Sequence, residues 1–251
     1  MDVLLVALAS LCAGFVDAIV GGGGLILLPA LFSVFPSAPP ATLLGVNKGS
    51  SVWGTAVATW SYTQRVRLRW ASLGTGALLA LLGSFVGAWA VTVVSADFLR
   101  RALPWVLLAV FAYTLWRKDL GRHHAPRLTG LAEVGALGGL GLVVGFYDGF
   151  FGPGTGSFFV FLLVRWLGYD FLHASASAKL LNTASNMAAL SLFAWTGHVW
   201  WHVVAITAVA NVVGSLLGAR LALKHGAGFV RVFFILVVGA LLVKTAWSAY
   251  A

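Results

Sequence analysis

The 251-residue chain is 60% hydrophobic and only 9% charged, with a mean hydropathy of +0.95. No soluble domain of this length has an interior that could hold so much apolar surface, which makes the chain an all-α integral membrane protein. Its formal charge of +9 reads as basic loops on one side of a bilayer and not as a nucleic-acid surface.

The chain begins Met1-Asp2, without the basic stretch of a secretory signal, and Leu11 before Cys12 is not a lipoprotein cleavage site. The first apolar segment, 3–20, is therefore expected to stay and enter the membrane. Cys12 is the only cysteine, which excludes an intrachain disulfide and a zinc cluster; it is expected to be a small apolar filler. Gly14-Phe15-Val16-Asp17 then runs into Gly21-Gly22-Gly23-Gly24. The segment after this break, 24–36, is too short to cross a ~30 Å hydrocarbon core as a helix. Longer apolar segments follow at 41–62, 71–94 and 98–116. A polar stretch from Arg117 to Arg127 carries Arg117, Lys118, Arg122 and Arg127 with His123, His124 and Pro126, and reads as a solvated linker.

The order then repeats. An apolar segment at 131–151 ends in Gly145-Phe146-Tyr147-Asp148 and runs into Gly152-Pro153-Gly154-Thr155-Gly156. A short segment, 157–168, comes next, followed by long ones at 172–196, 200–222 and 229–248. The offset between the halves is 131 residues. It pairs Asp2 with Glu133, Lys48 with Lys179, Arg100 with Arg231 and Trp116 with Trp247. It also pairs Gly83-Ser84 and Gly87-Ala88 with Gly214-Ser215 and Gly218-Ala219. The chain is read as a tandem duplication, 1–120 and 131–251, joined by a cytoplasmic linker at 121–130.

Loop charge selects the topology. If each half crossed four times, the halves would be parallel and Lys and Arg would divide eight against six. If instead residues 1–36 enter, turn at the glycines and return, the second half is inverted. One side then collects Arg65, Arg67, Arg69, Arg117, Lys118, Arg122, Arg127, Arg165, Arg220, Lys224 and Arg231, against Arg100, Arg101 and Lys244 on the other. Eleven against three satisfies the positive-inside rule. The expected fold is two inverted repeats, each a broken or re-entrant helical hairpin plus three full transmembrane helices. Both termini then lie outside the cytoplasm of a bacterial inner membrane.

The breaks are where ligand chemistry is expected. A half-helix starting at mid-membrane offers unsatisfied N–H groups and a partial positive charge at its N-terminus, which suits an anion. Gly22, Gly23 and Gly24 precede one such helix; Gly154, Thr155, Gly156 and Ser157 open the other. Lys48 and Lys179 each lie some seven residues inside an apolar segment, where a lysine costs ~2.5–3.5 kcal/mol on insertion scales. Asn47, Asn182 and Asn186 are neighbouring polar side chains, and Asn182 and Asn186 share a helix face. Asp17 and Asp148 precede the breaks. Capping or lysine pairing is the favoured role for them, ahead of carrying a coupling proton. The six histidines show no ligand spacing, so no metal or other cofactor is expected, and no catalytic motif is present. The tryptophans near segment ends form an aromatic belt. Gly83-x-x-x-Gly87 and Gly214-x-x-x-Gly218 offer helix-packing faces, within the chain or between copies in a homo-oligomer.

These motifs resemble the sulfite exporter TauE/SafE family of membrane permeases. The resemblance rests on Gly14-x-x-Asp17-x-x-x-Gly21 through Gly24 and Pro29, on Val46-Asn47-Lys48, on Gly145-x-x-Asp148-x-x-x-Gly152-x-Gly154-x-Gly156, and on Ala178-Lys179-x-x-Asn182-x-x-x-Asn186. It covers nearly the whole chain. Pro29 has no counterpart at Val160, and Pro153 and Thr155 interrupt the second glycine block, so the halves are similar but not equivalent. The resemblance implies a secondary carrier that moves small sulfur-containing anions such as sulfite or organosulfonates (sulfoacetate, for example), usually outward. An anion channel of the same architecture is the alternative. The expected partners are the lipid bilayer and a small anion.

Overall fold

A computed structural model describes residues 2–91 and 123–250, with 105, 108, 112 and 121 between them. Apart from 105, 108 and 112, the expected segment 98–116, most of the adjoining polar stretch and the loop arginines Arg100 and Arg101 lie outside the described residues. All regular structure described is helical. α1 is Asp2–Val20, α2 Gly24–Val34, α3 Pro40–Thr63 and α4 Trp70–Ala90. The second half supplies α5 Gly130–Phe150, α6 Thr155–Leu167, α7 Phe171–Trp195 and α8 Trp201–Tyr250.

Length and polarity sort these helices. α1, α4, α5 and α8 are long and apolar enough to cross a membrane. They expose large apolar side chains along one face, among them Leu8, Leu82, Val143 and Val209. In a bilayer that surface meets lipid at no penalty, because hydrocarbon tails are as apolar as leucine. α3 and α7 are as long but carry Lys48, Lys179 and many small polar groups, and they are buried among the others. α2 has 11 residues and α6 has 13, so each reaches ~17–20 Å at 1.5 Å per residue. Each is too short to span a ~30 Å core, as the short segments predict.

α8 departs from the expected pair of separate segments, 200–222 and 229–248. Its 50 residues would make a straight rod of ~75 Å, more than twice the hydrocarbon thickness. Gly226, with φ 74° and ψ −166°, breaks it into two helical arms with no loop between them. Only glycine populates that backbone region readily. Cys12 is also placed differently from expectation. It is exposed on the outer face of α1 and fills no core gap.

Helix packing repeats at the same offset as the sequence. α4 packs along α5, and α1 packs along α8. A Cβ added at Gly83 would sit 2.2 Å from the Leu142 carbonyl oxygen, and one at Gly214 would sit 2.0 Å from that of Leu11. Gly87 meets Phe146 in the same way, and Gly218 meets Phe15. Leu142 and Phe146 are Leu11 and Phe15 shifted by 131. The glycine motifs are therefore filled by backbone from within the chain, where close approach maximises van der Waals contact.

Candidate functional site

The two glycine breaks meet at the centre of the molecule. Gly21 has φ 83°, and a Cβ on it would lie 2.2 Å from the backbone of Gly156; one on Gly156 would lie 2.5 Å from the Gly21 Cα. No other residue fits at either position. α2 therefore starts next to the start of α6, and at both starts the N-cap residue is a glycine with no side chain to cap the first turn. The first-turn N–H groups of both helices border one small pocket.

α1 ends at this crossing, and the last carbonyls of a helix lack intrahelical partners. Each is satisfied from elsewhere in the fold. Lys179 Nζ donates to Asp17 O at 2.5 Å, Tyr62 OH to Ala18 O at 2.9 Å, Ser175 Oγ to Ile19 O at 2.7 Å and Ser157 Oγ to Val20 O at 3.3 Å. The ammonium of Lys179 also faces the negative end of the α1 dipole. At the offset of 131, Tyr62, Ser175 and Ser157 correspond to Phe193, Leu44 and Ile26. Those side chains have no hydroxyl, so the end of α5 is not tied down in this way. This is the chemical form of the inequivalence suggested by Pro153 and Thr155.

Two ion pairs flank the crossing, and each joins the two halves. Lys48 Nζ lies 2.7 Å from Asp148 Oδ1, both side chains 2% exposed. Lys179 Nζ lies 3.0 Å from Asp17 Oδ2. Lys48 also donates to Asn186 Oδ1 at 3.1 Å, which leaves the Asn186 NH2 group as a donor. Asp17 Oδ1 accepts from the Gly23 amide at 3.2 Å, so Asp17 both caps the break and pairs with a lysine. The two carboxylates differ in one respect. Both oxygens of Asp17 have donors, whereas Asp148 Oδ2 is buried without any hydrogen-bond partner, as is Asn47 Oδ1.

The pocket holds a cavity of about 20 Å³, enough for about one water molecule. Its wall includes Asp17, Gly22, Gly24, Asn47, Lys48, Asp148, Gly154, Thr155, Gly156, Asn182 and Asn186. Three of the expected site residues stand behind it. Lys179 is held by Asp17, Ser157 donates to α1, and Gly23 packs against Ala13 O. Thr155 lines the pocket but its hydroxyl donates inward, to Gly152 O at 2.7 Å. Two further wall residues are Ser51, one of the small polar residues around Lys48, and Gly152, the first glycine of the second break. Ser51 follows Lys48 by three positions and so shares its helix face, a signal present in the sequence. Tyr62 had none, since a tyrosine closing an apolar segment reads equally well as part of the aromatic belt.

A second polar group lies at the ends of α5 and α7. Glu133 is buried and accepts from Arg69 Nη1 at 3.0 Å, Ser72 Oγ at 3.1 Å and Tyr169 OH at 2.7 Å. Burial, followed by the bond to Glu133, holds the Tyr169 phenol well above its usual range. Asp170 is the N-cap of α7 and accepts from the His173 amide at 2.7 Å and from its ring Nδ1 at 2.8 Å. Burial pushes the Asp170 carboxyl up, but these His173 bonds outweigh it and leave it below the ordinary value. His124 from the linker stacks on His173, with centroids 3.9 Å apart. Its imidazole is lowered by burial first and by His173 next. His124, Asp170 and His173 bring one donor atom each within 4.8 Å of the others, a grouping that histidine spacing did not reveal because His124 comes from the linker.

The family model described as sulfite exporter TauE/SafE matches residues 6–245. A probable membrane transporter protein, ORF9, from Sinorhizobium sp is 35% identical over 237 residues, covering 94% of this chain and 89% of that one. The probable membrane transporter protein YfcA of Escherichia coli strain K12 is 35% identical over 242 residues, covering 96% and 88%. A probable membrane transporter protein of Haemophilus influenzae is 33% identical over 219 residues, covering 87% and 84%.

Proposed function

The chain belongs to the sulfite exporter TauE/SafE family and is a multi-pass membrane transporter; from that premise we propose that it is a secondary carrier of small sulfur-containing anions, sulfite or organosulfonates such as sulfoacetate. The observation that carries this reading is the pair of cross-linked charges at the crossing of the breaks: two membrane lysines, one from each half, each held by an aspartate of the other half. The aspartate carboxylates are internal stand-ins for an anion. They neutralise the lysines in a narrow pocket whose cavity of about 20 Å³ is too small for a sulfonate. An entering sulfite or sulfonate takes over Lys48 and Lys179, with the Gly22, Gly24, Gly154 and Gly156 region and the amides of Asn182 and Asn186 as further donors. Charge-assisted hydrogen bonds of this kind favour compact oxyanions.

The loop charges support an inverted arrangement of the two repeats in a bacterial inner membrane, with both termini outside the cytoplasm. The direction of net movement is set by the gradients, because a carrier runs along them. A cavity this narrow suits alternating access better than a continuously open pore.

Purified protein titrated with sulfite, sulfoacetate, taurine, sulfate and acetate tests the site. Sulfite or sulfoacetate is expected to bind in preference to acetate, and Lys48→Ala or Lys179→Ala to weaken that binding at least tenfold. Equal binding of all five, or undiminished binding by both variants, removes the site. Saturable counterflow in liposomes identifies a carrier; currents that scale with concentration over a wide range identify a channel instead.

A further inference from the structure

Asp148 differs from every other carboxylate in the pocket, and the difference is one of hydrogen-bond supply. It is 1% exposed, it spends Oδ1 on Lys48 at 2.7 Å, and its second oxygen has no donor. A buried carboxylate oxygen without a donor carries a desolvation cost with no return. Asp17, its counterpart at the offset of 131, has the Gly23 amide on one oxygen and Lys179 on the other. The asymmetry lies in the same half whose helix end lacks hydroxyl ties. The charged and titratable groups that face Asp148 are Lys48 from α3 and Tyr147 beside it on α5, with Asp17 from α1 across the pocket and Lys179 from α7 behind Asp17.

We propose that Asp148 is the proton-carrying group of the transport cycle, and that one proton enters Oδ2 of Asp148 as one anion enters beside Lys48. This rests on the anion-carrier reading above and supplies its coupling ion. For a singly charged anion, such as hydrogen sulfite or a monosulfonate, the charges balance. In the empty site Lys48, Lys179, Asp17 and Asp148 sum to zero. A monovalent anion would leave the buried site at minus one, and a proton on Asp148 restores zero. The proton comes from the water on the side the anion enters. Its arrival ends the Lys48–Asp148 ion pair, frees Lys48 Nζ for the anion, and turns the unsatisfied Oδ2 acceptor into an O–H donor that an anion oxygen can accept. On release the anion departs, the proton follows it into the same compartment, and Lys48 returns to Asp148. A sodium ion fits this site poorly, because Lys48 holds a positive charge against the same carboxylate and the cavity of about 20 Å³ leaves little room for a coordination shell.

The test uses full-length protein in liposomes with methanesulfonate, singly charged at every working pH. In the parent, a pH gradient without sodium drives net uptake, and apparent affinity rises as pH falls, approaching tenfold per unit where Asp148 is ionised in the empty site. In Asp148→Asn, counterflow, whatever its rate, is independent of pH and gradient-driven uptake is lost, while Asp17→Asn retains the pH dependence. A sodium gradient that replaces the pH gradient, or an Asp148→Asn variant with the parent's pH dependence, overturns the proposal. Absence of methanesulfonate and sulfite counterflow in the parent instead sinks the carrier reading on which it rests. Infrared difference spectra on adding sulfite to the parent, with and without isotope-labelled aspartate, give a readout independent of the variants. A protonated aspartyl C=O band is expected to appear, and its absence also overturns the proposal.

Discussion

Lys48 and Asp148 illustrate what buried charge does at the scale of single residues. Removing one partner of a buried pair leaves the other uncompensated, at about 3–5 kcal/mol, whereas removing both together is often neutral. Lys48→Met is therefore expected to lower the unfolding temperature in detergent sharply, and Lys48→Met combined with Asp148→Asn to recover most of the loss. A double variant that unfolds as early as the single one would show that the pair contributes no such coupling. The lysines and aspartates were legible in the sequence because charge inside an apolar segment is costly and needs a reason. The crosswise partnership was not, since Asp17 could as well have met Lys48 of its own half. The tie from Tyr62 to Ala18 O was not legible either, because a hydroxyl's partner is set by a neighbour distant in sequence.

Elements were read well where length decided the matter and less well where backbone geometry did. The apolar runs after each glycine block announced α2 and α6 because neither is long enough to cross. The join between the arms of α8 was expected as a loop between 200–222 and 229–248, with Arg220, Lys224 and Arg231 counted among the loop charges, yet the helix resumes directly after Gly226. Packing between elements gives a sharp prediction. A Cβ at Gly87 would lie 2.1 Å from the Phe146 carbonyl oxygen, while one at Gly139 meets nothing within 4 Å. Gly87→Ala is expected to separate α4 from α5 and reduce the yield of folded protein. Gly139→Ala, on the open side of α5, is expected to be neutral or to stabilise by about 0.5–1 kcal/mol. Size-exclusion profiles and thermal unfolding of the two variants distinguish these outcomes, and equal behaviour would refute the packing role of Gly87.

The whole molecule turns on its orientation in the bilayer. With the basic loops inside, an alkaline phosphatase fused after Ala251 is expected to be active and a cytoplasmic reporter at the same point silent, with the pattern reversed for fusions at His123. A cytoplasmic reporter active after Ala251 would reject the inverted arrangement. At this scale the duplication is a reading of charges, glycines and tryptophans recurring at one offset, and the packing of α4 on α5 and of α1 on α8 repeats at that offset. The meeting of the two breaks was not legible, because sequence shows that each glycine block needs space but not that each fills the space of the other. That meeting has a mechanical consequence. Gly21 and Gly156 touch without side chains, so no ridges interlock there. On the carrier reading proposed above, one half could roll against the other at this contact as on a bearing. The resistance to rotation would then come from the salt links set to either side, the bonds that an arriving anion would unfasten.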